Sequence, residues 1–337
     1  MPDTGLLASL TLARGSIDRA AERRGDAAWF DAAWNDPATR VLVVHRGKAL
    51  VRGVEGAARG PVISDPAYDG ASRGWIEAER GSAELVLVPP AEAAYDGVRV
   101  LLAVEDGTAF VALLVPGRVE PWDAPDGTSW EGLREVGSAL GDRDSGLFVM
   151  ATALGNWHAA HPRCPRCGEA SEPSQSGWSR TCPGDASQHF PRSDPAVIVL
   201  VTDDDDRALL GRRAEWPDGF FSTLAGFVEA GESAEITVVR ELAEEAGVLV
   251  DRLDYLGSQP WPFPASLMLG YRARLAPSSP EAVPDGEEIT EVRWFSREEM
   301  RAGCEAGTVR VPPSISIARR LIEHWYGDTL PGSWARP

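Results

Sequence analysis

Lysine is almost missing from this sequence. Lys48 stands alone, and every other strong cation among the 33 basic residues is arginine. Against 51 acidic residues they leave a formal net charge of −18. So negative a chain does not hold nucleic acid by bulk electrostatics, because neutralising phosphates takes clustered cations. Any phosphate contact has to come from particular arginines, backbone N–H groups or bound metal. Long hydrophobic runs are lacking too. None approaches the ~20 residues of a membrane-spanning helix, and MPDTGLLASLTLARGSIDRA has no signal-peptide layout. The chain is therefore read as cytoplasmic, with no membrane partner. Cysteine is scarce: Cys164, Cys167 and Cys182 fall together, while Cys304 stands alone. Clustered thiols in a cytoplasmic chain point to metal rather than disulfides. Cys304 reads as a small packed residue.

What is present suggests several units, since 337 residues exceed one ordinary domain. Residues 1–125 carry short Val/Leu-rich strands bounded by turn residues: VLVVHR (41–46), ELVLV (84–88), RVLLAV (99–104) and AFVALL (109–114). Residues 126–160 show helical spacing, of Trp130, Leu133 and Val136 and then of Leu147, Met150 and Leu154. Residues 161–192 have almost no apolar periodicity and hold the cysteines. Residues 193–330 open with the apolar strand AVIVLV and a second strand at RALLGRR. The expected architecture is an N-terminal α+β domain, a helical linker, a Cys-bearing insert and a C-terminal α+β domain.

The densest charge is RELAEEAG, 240–247. Glu241, Glu244 and Glu245 fall at i, i+3 and i+4, so on a helix they share one face. Like charges so placed cost about 0.2–0.5 kcal/mol per pair, and a bound cation is the obvious offset. Ser233 is a candidate N-cap and Gly247 a candidate C′ residue, while Gly226 and Gly231 let the preceding loop turn tightly. Ile236, Val239, Leu242 and Ala243 are expected to form the apolar stripe. Arg240 is expected to pin a glutamate or the loop by bidentate hydrogen bonds. Hard cations such as Mg²⁺ or Mn²⁺ prefer carboxylate oxygens and bridge to substrate phosphates. A solvated helix with incidental acids is the competing reading of RELAEE alone.

The wider register sets that reading aside: Gly226, five residues, Glu232, seven residues, then Arg240-Glu241-Leu242-Ala243-Glu244-Glu245-Ala246-Gly247-Val248. This run resembles the complete Nudix box. The resemblance implies an α+β chain with a Nudix α/β/α sandwich at its C-terminal end. It implies Glu241 and Glu245 as principal Mg²⁺ or Mn²⁺ ligands, with Glu244 assisting or acting as base. Which glutamate is the base stays open, because coupled carboxylates resist such assignment.

Downstream, SQPWPFPAS at 258–266 holds three prolines in five positions. That excludes helix and central strand, so the stretch reads as a rigid loop. It displays Trp261 and Phe263, either to stack on a base or to cover a core edge. GNWHAAHPRCPRCG, then Cys182, then HFPRSDPAVIVLV precede the box, and PPSISIARRLIEHW follows it. Together these stretches resemble the NADH pyrophosphatases, the NAD-capped RNA hydrolase family of Nudix hydrolases, closely over about 154–326 and loosely over 1–125. The resemblance implies hydrolysis of the NAD(H) pyrophosphate to NMN(H) and AMP, removal of NAD caps from RNA 5′ ends, and a homodimer. It implies a nucleotide pocket lined by Gln259, Pro260, Trp261, Pro262, Phe263, Pro264, Ala265 and Ser266, with a backbone contact at Ala318, stacking by Phe190 and a further metal ligand at Glu288. A Nudix pyrophosphatase for ADP-ribose or another dinucleotide is the rival enzyme. An inactive fold that senses nucleotides or RNA is the rival outside catalysis. SQPWPFPAS speaks against the first and the complete box against the second; the order of preference among NADH, NAD⁺ and NAD-capped RNA is open.

The family's zinc ribbon, as the resemblance implies it, uses Cys-x-x-Cys twice. Here Cys164 and Cys167 form the first knuckle, but the second reads Cys182-Pro-Gly-Asp185. A carboxylate binds zinc at about 2.0–2.2 Å, so Asp185 is expected as fourth ligand of Zn²⁺. His189 is the alternative, and a metal-free ribbon the third possibility. The role is structural, since a closed four-ligand site leaves no position for chemistry.

Overall fold

The structure is a computed structural model and describes residues 7, 10–15, 17–55, 57, 59–60, 74–76, 78–117 and 123–334. Its first sheet gathers β1 (Arg40–His45), β2 (Lys48–Arg52), β3 (Glu84–Leu85), β4 (Val98–Glu105), β5 (Thr108–Val115) and β6 (Thr128–Gly132), following helix α1 (Ala27–Asn35). The order is β3-β2-β1-β5-β4, with β6 on β2. The β1–β2 and β4–β5 hairpins turn on Arg46-Gly47 and Asp106-Gly107, all four residues at positive φ, as two-residue turns of this kind require. Helix α2 (Leu133–Val136) is a single turn, and α3 (Asp142–Ala160) buries Leu147, Met150 and Leu154 against the sheet.

One expectation fails here. Trp130 was placed on a helix with Leu133 and Val136, but it lies in β6, whose five residues all pair with β2 from Lys48↔Gly132 to Arg52↔Thr128. That ladder outweighs a helical spacing of three residues, because strand formation follows tertiary partners more than local pattern.

Residues 161–192 form a three-stranded antiparallel sheet of β7 (Glu172–Ser174), β8 (Ser179–Thr181) and β9 (Gln188–His189). With so little apolar surface it leans on its neighbours. The Trp178 indole N–H donates to the Leu101 carbonyl at 2.6 Å. Arg180 Nη1 and the Gly177 carbonyl lie 3.0 and 2.8 Å from the two ring nitrogens of buried His158 on α3.

The C-terminal unit is a sheet between helices. It comprises β10 (Asp194–Thr202), β11 (Ala208–Arg212), β12 (Leu224–Phe227), α4 (Ala234–Ala246), β13 (Val250–Trp261), β14 (Ser266–Leu275), β15 (Glu291–Phe295), α5 (Arg297–Ala306) and α6 (Ile317–Tyr326). The order is β13-β14-β10-β11-β15, with β12 on β10 and β10 parallel to β14. AVIVLV is a strand buried on both faces, hence its unbroken apolar run. Val197, Val199 and Val201 pack with Val238, Leu242 and Ala246 of α4. Ile198 and Leu200 pack with Met300 of α5 and Leu321 and Ile322 of α6.

Two expectations about this unit are corrected. Ile236 and Val239 are 59% and 42% exposed, and Ala243 is exposed as well; the stripe of α4 that meets the sheet is Val238, Leu242 and Ala246, at i, i+4 and i+8. SQPWPFPAS is only partly loop. Ser258–Trp261 continue β13, where Pro260 stands opposite Leu267, and only Pro262–Ala265 turn. Proline is tolerated because β13 is an edge strand. Core packing also joins the units: Phe220, Phe263, Ile315 and Trp334 share an apolar cluster with Leu147, Phe148 and Ala151 of α3.

Candidate active site and metal centre

The acidic helix α4 is fastened at both ends. The Ser233 side chain accepts from Ile236 N–H, and Gly247 ends the helix at φ 66°. Arg240 grips Glu232 with two hydrogen bonds, 2.8 and 2.9 Å. It also donates to Glu241 at 2.9 Å, to Glu244 at 3.0 Å and to the Phe227 carbonyl at 3.0 Å. Arg240 thus ties the loop to the helix and holds the Glu232 carboxyl down at about 2. Gly226 is needed for closeness rather than for a bend. A Cβ there would stand 1.9–2.3 Å from the Glu241 carboxyl atoms.

Offsetting the core stripe turns the glutamates partly inward. Glu245 is 4% exposed, and its Oε2 has no hydrogen-bond partner among the described residues. Burial, reinforced by the charge of Glu241, pushes its pKa up to about 8, although Arg213 works the other way. Burial also raises Glu241, against Arg240. Glu288 pairs with Arg213 at 3.2 Å, on a loop whose N–H groups at Glu287, Glu288 and Ile289 donate to Asp285. Glu244 is mostly exposed. A buried carboxylate oxygen without a partner, beside further carboxylates, fits a hard divalent cation.

Glu245 lines a cavity of about 260 Å³. Its walls come from both the first unit and the C-terminal unit. Trp75 and Arg134 enter from the first unit, Arg213 and Trp216 follow β11, Thr223 precedes β12, and Trp261, Ala318 and Trp334 complete it. Of the residues expected in the nucleotide pocket, Trp261 and Ala318 line this cavity. Phe263 is 4% exposed and packs edge-on against Trp261 at 5.0 Å, with the Arg134 guanidinium 4.9 Å from its ring. Gln259 is fully buried and donates to the Ile315 carbonyl at 3.0 Å. Pro262 and Pro264 offer their carbonyls to Asn156 at 2.9 and 3.1 Å. Pro260, Pro262, Phe263, Pro264, Ala265 and Ser266 are absent from the cavity wall, as is Phe190, which is 64% exposed. Sequence reasoning passed over Arg134, Arg213, Trp75, Trp216 and Trp334. No local motif marks them, and only the count of twelve tryptophans hinted at an aromatic cavity.

In the ribbon, one ligand atom each from Cys164, Cys167, Cys182 and Asp185 lies within 4.8 Å of the others. Cys167 Sγ is 3.4 Å from Cys182 Sγ, and Cys164 Sγ is 3.9 Å from Asp185 Oδ2. Ser187 donates its hydroxyl and N–H to Asp185, holding that carboxyl at about 2, so it is ionised and ready to ligate. His189 is turned to the Ser187 hydroxyl at 3.0 Å and stands outside the four. Three thiols and one carboxylate so gathered suit a closed zinc site.

Three family models match successive stretches of the chain. Residues 192–312 match the family described as NUDIX domain. Residues 38–157 match the NADH pyrophosphatase-like rudimentary NUDIX domain, and residues 159–190 the NADH pyrophosphatase zinc ribbon domain. The chain is 45% identical over 251 residues to a Mycobacterium bovis "NAD-capped RNA hydrolase NudC", spanning 72% of this chain and 78% of that protein. It is 44% identical, over the same shares, to the Mycobacterium tuberculosis protein of that name. A human "NAD-capped RNA hydrolase NUDT12" is 39% identical over 198 residues, 55% of this chain and 42% of that one. Among solved structures, a NUDIX hydrolase from Nitrosomonas europaea covers 50% of this chain and 95% of its own, with TM-score 0.38 and 21% identity.

Proposed function

This chain belongs to the NADH pyrophosphatase and NAD-capped RNA hydrolase family of Nudix hydrolases, and from that premise we propose that it hydrolyses the pyrophosphate bond of NAD(H) to NMN(H) and AMP, and removes NAD caps from RNA 5′ ends, in the cytoplasm. The observation that carries this reading is Glu245. It is a buried carboxylate with an unpartnered oxygen, among other glutamates, in the wall of an aromatic cavity.

Glu241, Glu245 and Glu288 hold Mg²⁺ or Mn²⁺, with Glu244 assisting or serving as base. When bound, that cation supplies an activated water and neutralises phosphate charge. The chain's own residues do the rest. Arg240 fixes the Glu232 loop and the Glu241 carboxylate, so their positions need no reorganisation during the reaction. Arg213, beside Glu288 and in the cavity wall, offers its guanidinium to a pyrophosphate oxygen. Arg134 presents a second cation at the cavity. Trp261 gives a ring its flat face, and Ala318 offers backbone. Gln259, Pro262 and Pro264 hold Trp261 in place through the Ile315 and Asn156 bonds, and Phe263 packs against its ring. Zn²⁺ on Cys164, Cys167, Cys182 and Asp185 is structural. The active form is a homodimer. The exposure of Phe190, away from its own chain's cavity, supports its stacking in the partner's site.

Chromatography of NADH incubated with the protein and Mg²⁺ or Mn²⁺ tests the reading. NMNH and AMP should appear, EDTA should stop their release, and added metal should restore it. Release of nicotinamide, or cleavage indifferent to EDTA, contradicts it.

A further inference from the structure

Trp334 lies far along the chain from the acidic helix, yet it lines the same cavity. The segment behind α6 is bound back onto the fold. Arg319 donates to the carbonyls of Pro312, Leu330 and Gly332, and pairs with Glu323 at 2.8 Å. Trp334 itself is held twice: its N–H donates to the Val311 carbonyl at 2.9 Å, and its indole N–H to the Arg310 carbonyl at 2.9 Å. So anchored, its ring lies 4.7 Å from Trp216 and 6.3 Å from Trp75, centroid to centroid.

Three indoles from three distant stretches thus meet in the cavity wall. Trp334 and Trp75 are each 8% exposed, and the Trp75 indole N–H has no acceptor among the described residues. A buried donor left unpaired is unfavourable unless a ligand brings an acceptor. Packing alone accounts for apolar contact; it does not account for an open space beside the rings or for that unmet donor. At about 260 Å³ the cavity falls just below the ~300–1,000 Å³ usual for drug-sized ligands, so it encloses one ring system with its sugar rather than a whole dinucleotide.

We propose that Trp75, Trp216 and Trp334 form a stacking wall that binds one ring system of the dinucleotide, with Trp75 donating its N–H to an acceptor on it. The wall makes the first unit and the segment behind α6 parts of the substrate site, which the acidic helix cannot bind alone. This rests on the hydrolase reading above.

The test compares Trp334→Ala, Trp334→Leu and Trp334→Phe in the full chain. Base–aromatic stacking is worth about tenfold in affinity. Trp334→Ala and Trp334→Leu should therefore raise KM for NADH about tenfold, with kcat within about threefold, while Trp334→Phe stays near the parent. Calorimetry with NMN and with AMP should show one of the two weakened about tenfold and the other unchanged. Unchanged KM in Trp334→Leu, or activity that merely follows the folded fraction, would overturn the wall. Should Trp334→Ala not fold, the Leu and Phe variants carry the comparison. If the parent fails to cleave NADH, the hydrolase reading falls, and mononucleotide binding by Trp334→Leu still decides the wall.

Discussion

Glu245 has a carboxyl pushed by burial, and then by Glu241, from an ordinary 4.5 to about 8. The folded state therefore binds that proton more tightly than the unfolded chain does. Its contribution to stability is present below about 4.5 and is lost as pH rises towards 8. In EDTA the Tm should fall as pH is raised through that window, Glu245→Gln should fall less, and bound Mg²⁺ should flatten the parent's profile. Identical profiles for parent and variant would show that Glu245 ionises as freely as a surface glutamate. Gly226 yields a second residue-scale prediction. The methyl of Gly226→Ala would overlap the Glu241 carboxyl, and displacing a catalytic group by about 1 Å costs on the order of 10²-fold in rate. The variant should keep its fold, measured by circular dichroism, and lose about that factor in kcat; parent-like kcat would mean that Glu241 has room to move.

Among the elements, α4 and β13 mark what local pattern reveals and what it hides. The acidic face of α4, its Ser233 cap and its Gly247 stop are local features, and each was legible. Its core stripe was not, because three and four residue spacings fit two overlapping faces of a short helix. Only the sheet decides that Val238 and Ala246 face inward and Ile236 outward. Proline marked 258–266 as a loop, which holds only for 262–265; an edge strand tolerates Pro260, and edges are settled by neighbours rather than by sequence. β6 was missed for the same reason, since its partner β2 lies about eighty residues earlier. The turn after β13 offers a direct check. Asn156 on α3 holds the Pro262 and Pro264 carbonyls, and two such bonds contribute about 0.5–1.5 kcal/mol each. Asn156→Ala should lower the Tm and raise KM by loosening Trp261, with kcat little changed. An equal Tm and KM would make that link ornamental.

The whole molecule is where the cavity becomes a site. The acids beside it come from α4 and the Glu288 loop, its tryptophans from four stretches, and the ribbon is tied to α3 through His158 and Arg180. No sequence window contains that convergence, which is why Arg134, Trp75 and Trp334 escaped notice while the metal-binding motifs did not. For the ribbon, elemental analysis should find about one zinc per chain. Asp185→Ala should release zinc more readily than His189→Ala, given the positions of the two side chains; the reverse order would make His189 the ligand. The central claim is that buried Glu245, with the glutamates beside it, serves cleavage of the NAD(H) pyrophosphate at this cavity. It is tested most directly by kcat/KM for NADH and for ADP-ribose, in the parent and in Glu245→Gln, at saturating Mg²⁺ or Mn²⁺. The account predicts that the parent favours NADH by at least about tenfold and that Glu245→Gln loses on the order of 10³-fold or more, with its fold intact. A parent that favours ADP-ribose, or a Glu245→Gln variant as active as the parent, would contradict it.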